Sequence, residues 1–113
     1  MTNISTHVLD ISRGQPVVGL NVILHTYTET NWVMIARGLT NKDGRITNFK
    51  ASSTKFNTGR YQICFDTEEY FRAIESRAFY PSVEIKFIVE NSEEKYHIPL
   101  LISPFGYSTY RGS

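Results

Sequence analysis

Hydrophobic and polar positions alternate along most of the chain, and this period of two is typical of half-buried β-strands. The clearest run sets apolar side chains against charged ones: Val83, Ile85, Phe87 and Val89 alternate with Glu84, Lys86 and Glu90. A second run places Tyr96, Ile98, Leu100 and Ile102 on one face, with His97, Pro99 and Leu101 on the other. The pattern therefore predicts a mainly β protein.

Turn signals divide the chain into short predicted strands at residues 4–11, 21–28, 32–40, 45–47, 60–65, 83–90, 95–102 and 106–111. The breaks are polar or contain glycine and proline, at 13–16, 41–44, 50–59 and 91–94. In strand 60–65, Tyr61, Ile63 and Phe65 are expected to point inward. Seven or eight such strands predict a two-layer antiparallel sandwich, with a small barrel as the alternative.

Two local features depart from the strand pattern. Asp66 and Glu69 have the spacing of a helix N-cap pair, and Tyr70, Phe71 and Ile74 follow at helical spacing before Pro81, which predicts one short helix. Pro99 lies inside a predicted strand although it has no N–H to donate to the ladder. We therefore expect a bulge at Pro99, or a ladder position whose partner is water.

Length and composition limit the organisation of the protein. The chain has 113 residues, of which 41% are hydrophobic, and this predicts a single domain over residues 1–113 with one core. Cys64 is the one cysteine, so an internal disulfide cannot form and a reducing compartment is the natural location.

Charge and hydropathy argue against two classes of partner. The net charge of +1 and the lack of a Lys or Arg run argue against nucleic-acid binding. No stretch approaches the roughly 20 apolar residues of a membrane span, and the first residues lack the features of a signal peptide. We expect a cytoplasmic protein, or a peroxisomal one if a targeting extension has been removed.

A few side chains could carry chemistry. His7 and His97 are expected to face outward from their strands and could meet on one sheet face, while Arg45 follows an Asp-Gly turn. Taken singly, each is more often a solvated surface residue than a catalyst. A zinc site from His7, His25 and His97 is the weaker interpretation because the three share no short ligand spacing. The residues alone assign no role to His25 or Cys64.

The sequence strongly resembles the 5-hydroxyisourate hydrolase family, the transthyretin-related proteins. The resemblance runs from end to end and lies in the segments STHVLD (5–10), GQP (14–16), TNKDGR (40–45), YHIPLL (96–101) and SPFGYSTYRGS (103–113). The ending Tyr-Arg-Gly-Ser is the most specific element, because it separates the hydrolases from the transthyretin hormone carriers. Val17 and Val18 depart from the family pattern, in which a small residue such as alanine is commoner after the proline.

The resemblance implies a transthyretin-like sandwich of two four-stranded sheets, assembled as a homotetramer that is a dimer of dimers. It places the active sites in the channel between dimers. By motif, the implied catalytic residues are His7, Arg45, His97 and Ser113, and the implied substrate-binding residues are His7, Arg45, Tyr110, Arg111 and Gly112. No metal or other cofactor is implied.

The implied reaction is hydrolysis of 5-hydroxyisourate to 2-oxo-4-hydroxy-4-carboxy-5-ureidoimidazoline in urate degradation, by opening of a ring amide. Such a reaction needs an activated water, a group that stabilises the oxyanion and an acid for the leaving nitrogen. His7 and His97 are expected to activate water and transfer protons, with base and acid unassigned. Arg45 would hold the ring and stabilise charge, and Ser113 would orient water or substrate through its hydroxyl or carboxylate.

Two other interpretations compete with the hydrolase. One is a transthyretin-like carrier of small aromatic ligands, which has no evident need to keep His7, Arg45, His97 and the Tyr-Arg-Gly-Ser segment together. A secreted carrier would also need an export signal. The other is an immunoglobulin-like adhesion domain, and the missing Cys-Trp-Cys framework argues against it.

Overall fold

The alternating segments form β-strands in the computed structural model, which describes residues 3–49 and 56–113. Over these residues the strands are β1 Asn3–Asp10, β2 Gln15–Pro16, β3 Asn21–Thr28, β4 Asn31–Leu39, β5 Arg45–Ile46, β6 Gly59–Phe65, β7 Val83–Val89, β8 Lys95–Ser103 and β9 Gly106–Thr109. The one helix in this part of the chain is α1, Thr67–Ala73. The predicted loop at 50–59 lies mostly outside the described residues. No helix in the described ranges is long and apolar enough to cross a membrane.

The strands form two separate sheets, so the sandwich is confirmed over the barrel. The first sheet has the order β2-β1-β8-β9, with the two-residue strand β5 also paired to β1. The second sheet has four strands in the order β4-β3-β6-β7. Strands β3 and β4 form an antiparallel hairpin, with a register shift between Leu24 and His25.

The first sheet is mixed, which corrects the expectation of a wholly antiparallel sandwich. Strands β1 and β8 run parallel through eight paired positions, from Asn3 opposite Lys95 to Asp10 opposite Ile102. No hairpin connects these two strands, which are separated by most of the chain, so no tight turn forces them to run antiparallel.

The core lies between the sheets and follows the alternation of each strand. In β1 the buried positions are Ile4, Thr6, Val8 and Asp10, and the intervening positions are half-buried. Tyr61, Ile63 and Phe65 are buried as predicted. The predicted inward set of β8 is also buried: Tyr96, Ile98, Leu100 and Ile102. The odd-numbered residues of β1 and β8 therefore form the outer face of the first sheet.

Helix α1 is the one short helix that the sequence predicts, but it begins without the expected side-chain cap. Asp66 occupies the N-cap position but makes no capping hydrogen bond with its side chain, so this expectation is wrong. The Glu68 amide instead donates to the Pro81 carbonyl oxygen at 3.1 Å. The connection into β7 thus supplies the acceptor that Asp66 was expected to provide.

Pro99 fits the ladder without a bulge, contrary to expectation. The register between β1 and β8 continues without a shift through Pro99, which lies opposite His7. The Pro99 carbonyl accepts a hydrogen bond from Thr109 Oγ1 at 2.7 Å, so its backbone faces β9 rather than β1. The missing N–H therefore removes no bond from the β1–β8 ladder.

A buried carboxylate secures the end of β1. Asp10 is fully buried and accepts hydrogen bonds from the Ser12 amide at 2.9 Å, the Ser12 hydroxyl at 2.6 Å and the Tyr70 hydroxyl at 2.7 Å. Burial by itself raises the pKa of Asp10, but the hydrogen bonds from Ser12 and Tyr70 outweigh it and lower that pKa. Burial and the bond to Asp10 raise the pKa of Tyr70 to about 12.

We expect Tyr70→Phe to lower the free energy of unfolding by about 1.5–3 kcal/mol, because it removes one hydrogen bond to a buried charged group. The lowered pKa of Asp10 means that its contribution to stability is complete above its ordinary value of 3.8 and is lost as the pH falls further. Urea unfolding at pH 7 and pH 3 checks both statements, with Tyr107→Phe as the control. Equal stability of the Tyr70 and Tyr107 variants at pH 7 would contradict the first.

Candidate active site

His7 and Arg45 are neighbours because β5 pairs with the middle of β1. The two residues lie directly opposite each other in this antiparallel pair. His7 is half-buried on the outer face of the first sheet, and Arg45 is exposed beside it. The sequence separates the two residues widely, and the turn that precedes β5 brings them together.

That turn is held against β1 by backbone contacts. Gly44 has a φ of +76°, and a Cβ at this position would lie 2.5 Å from the Val8 carbonyl oxygen. The Val8 amide donates to the Gly44 carbonyl at 2.8 Å. Asn41 Oδ1 closes the turn by accepting from the Arg45 amide at 3.0 Å. Glycine at position 44 is therefore what allows Arg45 to approach His7.

His97 lies on the same outer face, in the strand parallel to β1. Its ring is half-buried, and its Nδ1 lies 2.8 Å from Ser5 Oγ. Ser5 and His97 are directly paired positions of β1 and β8. This hydrogen bond fixes the orientation of the ring and leaves Nε2 as the nitrogen available to another partner.

The segment 110–113 returns to His97 after β9 ends. The Gly112 amide donates to the His97 carbonyl at 2.7 Å, and the two residues form an isolated antiparallel bridge. A Cβ at Gly112 would lie 2.6 Å from His97 Cδ2, so only glycine permits this approach without displacement. The contact brings Ser113 close enough to His97 for both to line one depression.

A shallow depression of about 240 Å³ lies at this point on the outer face. It brings together Arg45, His97 and Ser113, and its remaining lining residues are Asn3, Ser5, Thr6, Ile46, Thr47 and Lys95. His7 is paired with Arg45 next to this depression but does not line it. The wall therefore offers imidazole, guanidinium, hydroxyl and amide groups to a small polar ligand.

Two of the predicted substrate-binding residues lie elsewhere. Tyr110 and Arg111 line a second cavity of about 330 Å³, on the side where Ile85, Tyr96 and Ile98 lie. Within one chain the structure does not bring them together with Arg45 and Ser113. Their role in binding substrate stays a prediction.

The electrostatics of the site favour neutral imidazoles. Burial lowers the pKa of His97, and the positive charges of Arg45 and His7 lower it further. Burial and Arg45 also lower the pKa of His7, against the opposing effects of a backbone hydrogen bond and the carboxylate at Asp43. At neutral pH, both rings can therefore accept a proton.

The structure also places the two residues to which the sequence assigned no role. His25 and Cys64 lie on the second sheet, where the His25 Nδ1 and Cys64 Sγ atoms are 3.7 Å apart. A site that combines His25 with His7 and His97 is therefore not formed. Burial raises the pKa of the Cys64 thiol, and the nearby Glu84 carboxylate raises it further. Within residues 3–49 and 56–113 no group of three or more metal-ligating side chains is found.

Sequence reasoning missed Ser5, which contacts His97 directly. The signal that could have identified it is its position two residues before His7, since alternate residues of a strand share a face. The partner strand could not be inferred, because the two bonded residues are 92 positions apart. Asn3 and Lys95 also line the depression. They were missed because the pairing of β1 with β8 could not be inferred from the sequence.

Comparison with known proteins agrees with this arrangement. The model of the HIUase/Transthyretin family matches residues 4–112, and the chain belongs to this family. A probable 5-hydroxyisourate hydrolase of Caenorhabditis elegans is 39% identical over 111 residues, covering 98% of this chain and 82% of the relative.

Solved structures show the same similarity. The 5-hydroxyisourate hydrolase of Klebsiella pneumoniae matches with a TM-score of 0.86 and 37% identity over 100% of both chains. A sea bream transthyretin in complex with thyroxine matches with a TM-score of 0.90 and 28% identity, over 97% of this chain and 94% of that one. Both the hydrolase and the transthyretin branches therefore share this fold, and the family excludes the immunoglobulin-like interpretation.

We expect the imidazoles of His7 and His97 to titrate below their ordinary value of 6.5. Because Arg45 contributes to both shifts, Arg45→Gln should move both midpoints upward. NMR titration of the imidazole C–H signals measures this, and Arg60→Gln on the second sheet is the control that should change neither midpoint. Midpoints that stay in place in the Arg45 variant would show that its charge does not act on the two rings.

Proposed function

We propose that this protein hydrolyses 5-hydroxyisourate to 2-oxo-4-hydroxy-4-carboxy-5-ureidoimidazoline in urate degradation. The observation that carries the proposal is the grouping of His7, Arg45 and His97 on one outer sheet face, in a chain 37–39% identical to proteins named as 5-hydroxyisourate hydrolases. The depression beside these residues has the polar lining that a small, oxygen-rich ring requires. The substrate binds there in our proposal.

The proposed reaction is attack of water on a ring amide carbonyl. One imidazole removes a proton from water as its oxygen bonds to the carbonyl carbon, which gives a tetrahedral oxyanion. The carbon–nitrogen bond then breaks, and the leaving nitrogen takes a proton from an imidazolium. No metal or other cofactor is needed, because water supplies the nucleophile and side chains transfer the protons.

Arg45 is the residue that stabilises the oxyanion in this proposal. Its guanidinium carries a permanent charge and a planar set of donors suited to carbonyl and carboxylate oxygens. It lies directly opposite His7 and lines the depression together with His97, which supports a role beside both rings. The same charge that lowers the pKa of each base is then available to the developing negative charge.

His7 and His97 share the proton transfers, one as the base and the other as the acid. Both pKa values are lowered, which supports either ring as a base at neutral pH. Ser113 lines the depression beside His97 and orients water or substrate in our proposal. Tyr110, Arg111 and Gly112 complete the segment that presents Ser113.

The proposal is tested by generating 5-hydroxyisourate with urate oxidase in the cuvette and following the decay of its absorbance with and without the protein. We expect catalytic amounts to accelerate the decay, because the site supplies both proton transfer and oxyanion stabilisation. His7→Ala, Arg45→Ala and His97→Ala should each lower kcat/KM by more than about a hundredfold while the fold is kept. Deletion of residues 110–113 should abolish turnover.

His25→Ala is the matched control, since this histidine lies on the second sheet. It should retain full activity. Wild-type protein that is folded yet leaves the spontaneous decay unchanged would overturn the proposal and favour a carrier of small aromatic ligands. Unchanged turnover in one of the three site variants would remove that residue from the mechanism.

We also propose that the active form is a homotetramer, a dimer of dimers with the sites in the channel between dimers. The open position of the depression on an outer sheet face supports this, since a second copy could cover it. Light scattering after gel filtration should give four times the mass of one chain. A monomer with full specific activity would contradict the assembly without affecting the reaction.

The cytoplasmic location remains a prediction. The unpaired cysteine, Cys64, is compatible with a reducing compartment. Cell fractionation with an antibody to the native protein measures the location directly, and recovery in peroxisomes would indicate the alternative.

A further inference from the structure

We propose that Arg111 is a positioning residue that holds Gly112 and Ser113 against His97, by stacking on Tyr96 and pairing with Glu94. This inference rests on the proposed function, because the active form of the site needs Ser113 beside His97. It differs from the role that the family resemblance implies, in which Arg111 binds substrate.

The side chain of Arg111 is engaged on three sides. Its guanidinium carbon lies 4.6 Å from the centre of the Tyr96 ring, within the range of a cation–π contact. Its Nη2 atom lies 3.8 Å from Glu94 Oε2, and it donates to the Lys95 carbonyl at 3.5 Å. All three partners come from the start of β8 and the turn before it.

Tyr96 is a fixed platform for this contact. The ring is 4% exposed, and its hydroxyl oxygen accepts hydrogen bonds from the Glu90 amide at 3.1 Å and the Asn91 amide at 3.0 Å. The Tyr96 side chain is already fixed by the burial of its ring and by the hydrogen bonds to its hydroxyl. It therefore loses little further conformational freedom when Arg111 stacks on it. The stacked arrangement is therefore expected to persist in solution.

The alternation of side chains along an extended backbone explains why Arg111 points away from the site. Gly112 pairs with His97 in an antiparallel bridge, so position 112 faces the same side of the sheet as the imidazole. Position 111 then faces the opposite side, where the Tyr96 ring lies. Arg111 therefore lies on the inner side of β8 and Gly112 on the outer face, while the terminal Ser113 lines the depression on that outer face.

The contact between Gly112 and His97 needs such an anchor. Within the segment 110–113, that contact has one backbone hydrogen bond, from the Gly112 amide to the His97 carbonyl. Glycine is also the residue with the most backbone freedom to lose. When the Arg111 contacts are removed, we expect a larger fraction of molecules with the segment displaced, and the apparent activity falls with the fraction that remains in place.

The test compares Arg111→Met and Glu94→Gln with a matched pair, Arg72→Met and Glu68→Gln, in which an exposed ion pair of helix α1 is altered. We expect Arg111→Met to lower kcat/KM roughly tenfold and Glu94→Gln to lower it less. The control variants should retain wild-type activity. All four should keep a wild-type thermal midpoint within about two degrees, because the altered pairs are exposed.

The response of Glu94 separates positioning from direct binding. If Arg111 binds substrate, Glu94 competes for its charge, and Glu94→Gln should leave activity unchanged or raise it. In our proposal Glu94→Gln lowers the activity of the wild-type protein. The same substitution has a smaller effect on the Arg111→Met variant. Loss of activity in Arg111→Met together with unchanged or raised activity in Glu94→Gln would overturn the proposal in favour of direct binding.

A second measurement does not depend on catalysis. Hydrogen exchange of the Gly112 amide, followed by NMR, should be at least about tenfold faster in Arg111→Met than in wild type, while amides of β3 and β6 exchange at wild-type rates. Unchanged Gly112 exchange would exclude the positioning role, whatever the activity. If wild-type protein shows no turnover but Gly112 exchange responds, the proposed function fails while Arg111 still anchors the segment.

Discussion

The parallel register of β1 and β8 is the constraint on which the site depends. Alternate residues of a strand face opposite sides, so a shift of one position would turn His7 or His97 into the core. The buried side chains of both strands prevent that shift, because Ile4, Val8 and Leu100 would then be exposed to water. Packing of the inner face therefore determines which residues are neighbours on the outer face. Ser5 reaches His97, and β5 reaches His7, because hydrophobic burial fixes which residues lie opposite each other.

This register places the Arg45 guanidinium and the imidazoles of His7 and His97 in a small area. A cation therefore lies next to two titratable rings. The Arg45 guanidinium supplies the cation. Burial lowers the pKa of both imidazoles, and the positive charge of Arg45 lowers each of them further. The same feature thus produces a cation that can stabilise an oxyanion and neutral bases that can accept a proton from water.

Much of the fold follows from sequence periodicity, because a strand that is buried on one face has apolar residues at alternate positions. The strand at 21–28 matches the structure residue for residue, and the inward sets of β6 and β8 are buried as expected. The parallel pairing could not be predicted, since it joins segments separated by most of the chain and leaves no local signal. The missing cap at Asp66 has a similar cause, because the acceptor comes from Pro81.

The candidate site could be grouped only through family resemblance. Resemblance to a known family indicates which distant residues lie close together in the fold, and periodicity does not. Even so, that resemblance does not give the direction of the Arg111 side chain, which the structure shows on the opposite side of the sheet from Gly112.

A fold shared by hydrolases and transthyretins is expected if core and chemistry occupy opposite faces of the same strands. The inner residues of β1 and β8 determine how the sheets pack, and therefore which known structures the chain superposes on. The outer residues determine what the surface can bind or transform. Apart from the buried Pro99 they are half-buried or exposed, so they contribute little to packing. Substitutions at these positions can therefore change function at small cost in stability. For this reason the overall fold does not distinguish a carrier from an enzyme here. The distinction lies in the pairing of Ser5 with His97, the approach of Arg45 to His7, and the glycine that lets the segment 110–113 contact the imidazole.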